Sequence, residues 1–186
     1  PATCRITEEE TARDLLDLLS PLIKDQEDMP STGGKDTAEF RAEQVMVSKL
    51  LHLFHNESPD VLFKLFGVAR EHFGHGGTRR IKYTLVPLVF CILKVGSMMA
   101  DMIRAGKGKP KTSIKKLFKF IHSITVALGS HFQEESLKLL LISARQADEF
   151  KLEAIAYEFI TRSFLLYEER KRVQGSRTTL KILKRS

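Results

Sequence analysis

The sequence predicts an all-α protein built from antiparallel helix pairs, and three observations carry that expectation. Apolar residues recur at three- and four-residue spacing almost throughout the 186 residues, the spacing that lines one face of an α-helix. Period-two alternation of β-branched residues, the mark of a half-buried strand, is nearly absent. The periodic runs are parted by short clusters of Gly, Pro, Ser and Asn, and short connections make successive helices antiparallel neighbours.

Thr7 followed by Glu8, Glu9 and Glu10 has the form of a capping box, so a first helix is expected over about residues 8–24. Residues 25–35 collect Asp, Glu, Pro30, Ser31, Gly33 and Gly34, which is loop chemistry. A second helix starts near Asp36 or Thr37 and aligns Phe40, Val47, Leu50, Leu51 and Phe54. Ser58 can cap a third helix and Pro59 suits its first position, where no amide partner is lost; on that reading Ser58→Ala costs about 1 kcal/mol. Its stripe is Leu62, Leu65, Phe66, Ala69 and Phe73, with Gly74 as the left-handed stop.

After a turn over residues 74–80, a fourth helix is expected from near Thr84 to about Ala105, with Pro87 in its first turn. It is apolar nearly all round, which predicts burial on more than one side. Thr112 or Ser113 caps a fifth helix with the stripe Ile114, Leu117, Phe118, Ile121, Ile124 and Leu128, closed by Gly129. Two more follow, about 133–147 and 150–173, and Gly175 sets off a last short Leu/Ile segment. The helix pairs recur at a spacing somewhat longer than the roughly 40–47 residues of HEAT and armadillo repeats, without a shared residue signature. Residues 1–186 therefore read as a single stack of helix pairs with an acidic loop (25–35) and a basic tail (170–186); a compact helical bundle is the alternative.

The longest apolar stretch, Leu85 to Ala100, is interrupted by Lys94 and falls short of the roughly 20 residues that span a bilayer, so no transmembrane helix is expected. The start at Pro1 without Met, and without an apolar signal core, reads as an internal fragment. Two cysteines, Cys4 and Cys91, make no disulfide framework and no Cys-based zinc site, which suits a reducing compartment. Charge is unevenly spread. Residues 1–60 hold 6 Lys and Arg against 13 Asp and Glu, whereas the chain as a whole carries +7. Two runs, 104–119 and 170–185, each hold seven basic residues and no acid. Such blocks meet nucleic acid, anionic lipid or an acidic protein surface, or are simply solvated.

No reactive constellation emerges. His52 and His55 stand three apart on a helix, but no HExxH pattern or third ligand completes a zinc site. The run Gly74-His75-Gly76-Gly77 with Arg79 and Arg80 imitates a phosphate loop but lacks the Gly-Lys-Ser/Thr ending and a preceding strand, so a helix stop is expected. The basic loop at 107–111 has no interleaved aromatics for base stacking. Neither a cofactor, a metal nor an enzyme active site is expected, and nucleic acid is not the expected partner.

The run from Ala69-Arg70-Glu71-His72-Phe73-Gly74-His75-Gly76-Gly77 through Thr78-Arg79-Arg80-Ile81-Lys82-Tyr83-Thr84 to Leu85-Val86-Pro87-Leu88-Val89-Phe90 closely resembles the vacuolar protein sorting-associated protein 35 family, the large scaffold subunit of retromer. Leu22-Ile23-Lys24-Asp25-Gln26, Lys116-Leu117-Phe118-Lys119-Phe120-Ile121-His122, and Ala156-Tyr157-Glu158-Phe159 leading to Leu166-Tyr167-Glu168 extend the resemblance over roughly residues 15–169. It implies a HEAT-like α-solenoid fragment from the family's C-terminal half, without catalytic activity, working in endosome-to-Golgi and endosome-to-surface transport. It further implies a cytoplasmic protein, peripheral on endosomal membranes through the coat, that binds the metallophosphoesterase-fold retromer subunit. The family's N-terminal motif for the arrestin-like subunit is absent, so that partner is not expected to bind here. The tail also departs: Arg170-Lys171-Arg172 stands where the family continues with acidic sequence and further repeats, so the grip on the small subunit is expected to be weak. Within the matching run, Tyr83 and Phe90 are the candidate contacts and Arg80 a polar orienter; Phe90 as core and Arg80 as a helix cap are the alternatives. The competing functional class is a helical-repeat protein that binds nucleic acid or an acidic surface through residues 104–119 and 170–185.

Overall fold

The computed structural model describes residues 5–25 and 36–183. The fold is all-α, made of packed helix pairs as in a segment of an α-solenoid. Among the described residues the one β-type pairing is an isolated bridge between Ile6 and Phe54. The chain divides into two compact units, Pro1–Ile121 and His122–Ser186.

In the first unit, α1 (Glu9–Leu18) and the single turn α2 (Ser20–Ile23) replace the one helix expected over 8–24. Pro21 explains the break, since it has no N–H with which to continue the ladder onto the α1 carbonyls. The Thr7 capping box is also corrected: Glu8 holds the N-cap position and no side chain caps α1. Ile6 is buried and fixed in the bridge, its N–H on the Leu53 carbonyl at 2.8 Å and its own carbonyl taking the His55 N–H at 3.0 Å. That extended anchor delays helical entry past Thr7. The expected acidic loop lies outside the described residues except for Asp25.

Helix α3 (Ala38–Lys49) begins where expected, capped by Thr37, whose hydroxyl accepts the Phe40 N–H at 3.1 Å. A 3₁₀ turn, Leu50–Leu53, then tightens the chain and delivers Phe54 to the bridge. Helix α4 (Pro59–Gly74) starts at Pro59, but the Ser58 hydroxyl makes no cap. Instead the Ser58 N–H is drawn to Asn56 Oδ1 at 2.9 Å, an Asx-type turn. The predicted stripe of α4 is buried throughout, with Phe63 and Val68 added. Gly74 ends the helix without left-handed backbone, which falls instead on Gly77 at φ 85°. What Gly74 provides is space: a Cβ there would sit 2.0 Å from the Arg70 guanidinium.

Helix α5 (Ile81–Arg104) starts earlier than Thr84, which places Pro87 inside the helix rather than in its first turn. The Ile81 N–H reaches the Gly77 carbonyl at 3.2 Å, and burial of Ile81 and Leu85 favours the added turn. At 24 residues α5 is long and apolar enough to cross a membrane, which residues 85–100 alone were not. Ten of its residues are buried, against α3, α4 and the 3₁₀ turn among others, as befits a core helix. Helix α6 (Ile114–Gly129) follows, with Ser113 Oγ accepting the Lys116 N–H at 3.2 Å. Its first part belongs to this unit, burying Leu117 and Phe118 and setting Phe120 edge-on to Phe63, ring centres 5.4 Å apart.

The second unit takes the end of α6 together with α7 (Gln133–Glu149) and α8 (Glu153–Leu183). The turn between α7 and α8 is three residues, 150–152, with Lys151 at φ 60°. Ser136 donates to the Thr125 carbonyl at 2.7 Å, and His122 stands edge-on to Phe159. Gly175 does not set off a separate segment: α8 runs through it. A glycine inside a helix costs about 1 kcal/mol relative to Ala, and no Pro stands beside it to turn that cost into a stop.

Candidate partner-binding surface

The turn between α4 and α5 gathers charge. The buried Arg80, only 3% exposed, directs Nη1 to Glu43 at 3.0 Å and to the Leu22 carbonyl, and Nε lies 3.3 Å from the Asp25 carboxylate. Its guanidinium also lies over the Phe40 ring. One side chain thus joins α2, α3 and the start of α5. Asp25 returns the connection, its N–H on the Gly76 carbonyl at 3.0 Å. The glycines here accommodate that approach: a Cβ on Gly76 would meet the Ile23 carbonyl at 2.7 Å, and one on Gly77 would meet the Asp25 carboxylate at 2.0 Å. The loop that imitated a phosphate cradle holds the chain's own carboxylate.

Beside it, Asp36 accepts from Lys82 at 2.8 Å, Tyr83 at 2.9 Å and Arg79 at 3.2 Å. Burial alone would raise the Asp36 carboxyl, but these three donors outweigh it and hold it below its ordinary value. Burial would lower Lys82, and the bond to Asp36 reverses that, so its ammonium is held above the ordinary value. Burial and Asp36 together push the Tyr83 phenol up. Tyr83 packs edge-on against Phe40, ring centres 6.1 Å apart.

Further along α5, an apolar groove of about 600 Å³ opens toward the 3₁₀ turn. Phe54, Leu62 and Phe66 form its floor; Pro87, Phe90 and Met98 line α5, and His52, His55 and Lys94 supply polar groups. Phe90 is 48% exposed, well above the other apolar side chains of that floor. Cys91 lies half-buried in the wall, its thiol pushed up by burial and eased by Lys94, so it is not a poised nucleophile. His52 and His55 both border the groove, and among the described residues no group of three His, Cys, Asp or Glu side chains could hold a metal.

Of the three residues singled out in the sequence, Phe90 therefore faces a groove, Tyr83 is half-buried in the Asp36 cluster, and Arg80 lies beneath the surface. Phe90 and Tyr83 are seven apart and share a face of α5. Arg80 also bonds the carbonyl of Leu22 in the last turn of α2, so it caps a neighbouring helix while it orients the turn. Asp25, Asp36 and Glu43, on which this arrangement depends, were not singled out. The signal available was the acid excess of residues 1–60 facing Arg79, Arg80 and Lys82 in one short run.

The profile of the family described as vacuolar protein sorting-associated protein 35 matches residues 2–184 of this chain. Among curated relatives, the chain is similar to vacuolar protein sorting-associated protein 35B of Arabidopsis thaliana, 34% identical over 156 residues, which cover 83% of this chain and 20% of that protein. It is similar to protein 35A of the same plant, 34% identical over 166 residues, covering 88% of this chain and 21% of the relative. The corresponding protein of Dictyostelium discoideum is 34% identical over 170 residues, covering 88% and 22%. The chain spans about a fifth of the length of these relatives.

Proposed function

The chain belongs to the vacuolar protein sorting-associated protein 35 family, and from that premise we propose that it is a non-catalytic scaffold segment of the retromer coat. In this reading it serves retrograde transport from endosome to Golgi, peripheral on endosomal membranes, and binds the metallophosphoesterase-fold subunit. The observation that carries the reading is Phe90: a large apolar side chain, 48% exposed, over an apolar groove. Exposed aromatic anchors beside well-packed pockets supply much of the energy of protein interfaces. Tyr83 extends the same face of α5, and Arg80 orients it from below.

Calorimetric titration of the purified small subunit into this chain tests the reading. Phe90→Ala is expected to weaken binding by at least about 2 kcal/mol, roughly thirtyfold in Kd. Because Phe90 is half-exposed, the variant is expected to melt close to wild type. Equal binding by both proteins removes Phe90 from the interface, and loss of fold together with binding makes it a core residue.

A further inference from the structure

The basic run between α5 and α6 is a second surface, independent of the groove and of the scaffold reading. Arg104 ends α5, Lys107, Lys109 and Lys111 follow it, and Lys115, Lys116 and Lys119 lie on the first turns of α6; all seven are exposed. Of these seven, Arg104 is the one that forms an ion pair among the described residues, with Asp101 at 2.6 Å. The segment is nonetheless held in place. Gly106 at φ 66° ends α5, with its N–H on Ile103 and the Lys107 N–H on Met102, both at 3.1 Å. At the other end the Asp60 carboxylate accepts the N–H groups of Lys111 and Thr112 at 2.9 and 2.7 Å. Burial would raise that carboxyl, but the two amides hold it below its ordinary value, so it stays charged as an anchor. Ile103, 44% exposed, adds an apolar side chain at the edge of the patch.

We propose that the segment from Arg104 to Lys119 docks on an anionic lipid surface. Six of its seven charges are lysines, compact ammonium charges on flexible stems that suit a diffuse layer of headgroups; bidentate recognition of one phosphate or carboxylate favours Arg. The loop has no aromatic residue on which a base would stack. Ile103 is placed to enter the interfacial region as the lysines meet the headgroups. Each basic residue near such a surface contributes roughly fivefold in affinity, so the cluster is large enough to act without a shaped pocket.

Sedimentation of the full chain with vesicles tests this. The chain is expected to bind vesicles of equimolar phosphatidylcholine and phosphatidylserine and not vesicles of phosphatidylcholine alone, with binding that falls as salt rises. Replacing Lys107, Lys109 and Lys111 together by Ala is expected to weaken binding on the order of 100-fold, with an unchanged circular dichroism spectrum. Replacing three other exposed bases of the same unit, Arg41, Lys49 and Lys64, is expected to leave vesicle binding close to wild type. Equal losses from the two sets would reduce the effect to net charge and overturn the proposal, as would a loop variant that binds like wild type. Capture of polyglutamate or homopolymeric RNA through the same lysines, with no vesicle binding, would also overturn it and assign the patch to a soluble polyanion.

Discussion

Thr37 and Ser58 both stand at helix N-caps, yet only Thr37 caps with its side chain. Thr37→Ala is therefore expected to lower stability by about 1 kcal/mol, and Ser58→Ala by less than about 0.5 kcal/mol; urea melting of the two variants checks both. Both are hydroxyl residues directly before a helical run, and it was Ser58, followed by Pro59, that the sequence offered as the cap. What separated them was a neighbour: Asn56, two residues upstream, competes for the Ser58 backbone and turns it away from the cap. The capping box at Thr7 failed for a reason further off in the chain, because Ile6 is tied to Phe54. Local chemistry is legible residue by residue only where no tertiary contact claims the same backbone.

The helix ends make the same point with opposite signs. Helices α5 and α7 finish alike, with the left-handed residue's N–H and the next one reaching back to the last turn. At α5 that residue is Gly106; at α7 it is Lys151, at φ 60°. A side chain in this conformation costs roughly 1 kcal/mol, and glycine relieves it. Lys151→Gly is expected to stabilise the chain by about 0.5–1 kcal/mol and Gly106→Ala to destabilise it by about 1 kcal/mol. Nothing lies within 4 Å of a Cβ at Gly106, so that loss would be backbone strain alone. Thermal melting of both variants reads the signs directly. The existence of the longer helices was legible, because apolar spacing reports the buried face of each, whereas the short α2 was not. Helix boundaries were less legible: α5 gained a turn from burial of Ile81, and α8 passed through Gly175 because no stronger stop stood beside it.

For the molecule as a whole, charge and sequence order matter more than any one cap. The acid-rich opening of the chain meets the bases of the α4–α5 turn through Asp25, Asp36 and Glu43, and this predicts how stability follows pH. The folded pKa of Asp36 is depressed, so its contribution is complete above its ordinary value of 3.8 and fades as pH falls through the folded value. Lys82 and Tyr83 are raised above 10.5 and 10.0, so theirs is complete below those values and fades as pH climbs through the folded ones. Asp36→Asn is expected to cost roughly 2 kcal/mol near neutrality, with the difference from wild type shrinking toward both extremes in urea melts across pH. A flat difference would mean that these bonds do not report on folding. The cluster itself was hidden in the sequence because Asp36 and Lys82 lie 46 residues apart, and only the fold brings them together.

Helix α5 has one more consequence, and it concerns synthesis. A segment this apolar, emerging bare from a ribosome, has the length and composition that membrane-insertion machinery accepts. Helices α3 and α4, which pack against it, both precede it in the chain. By the time translation has completed α5, two of its covering surfaces have been made and can receive it. The order of the elements thus favours packing of α5 within the protein over its staying bare.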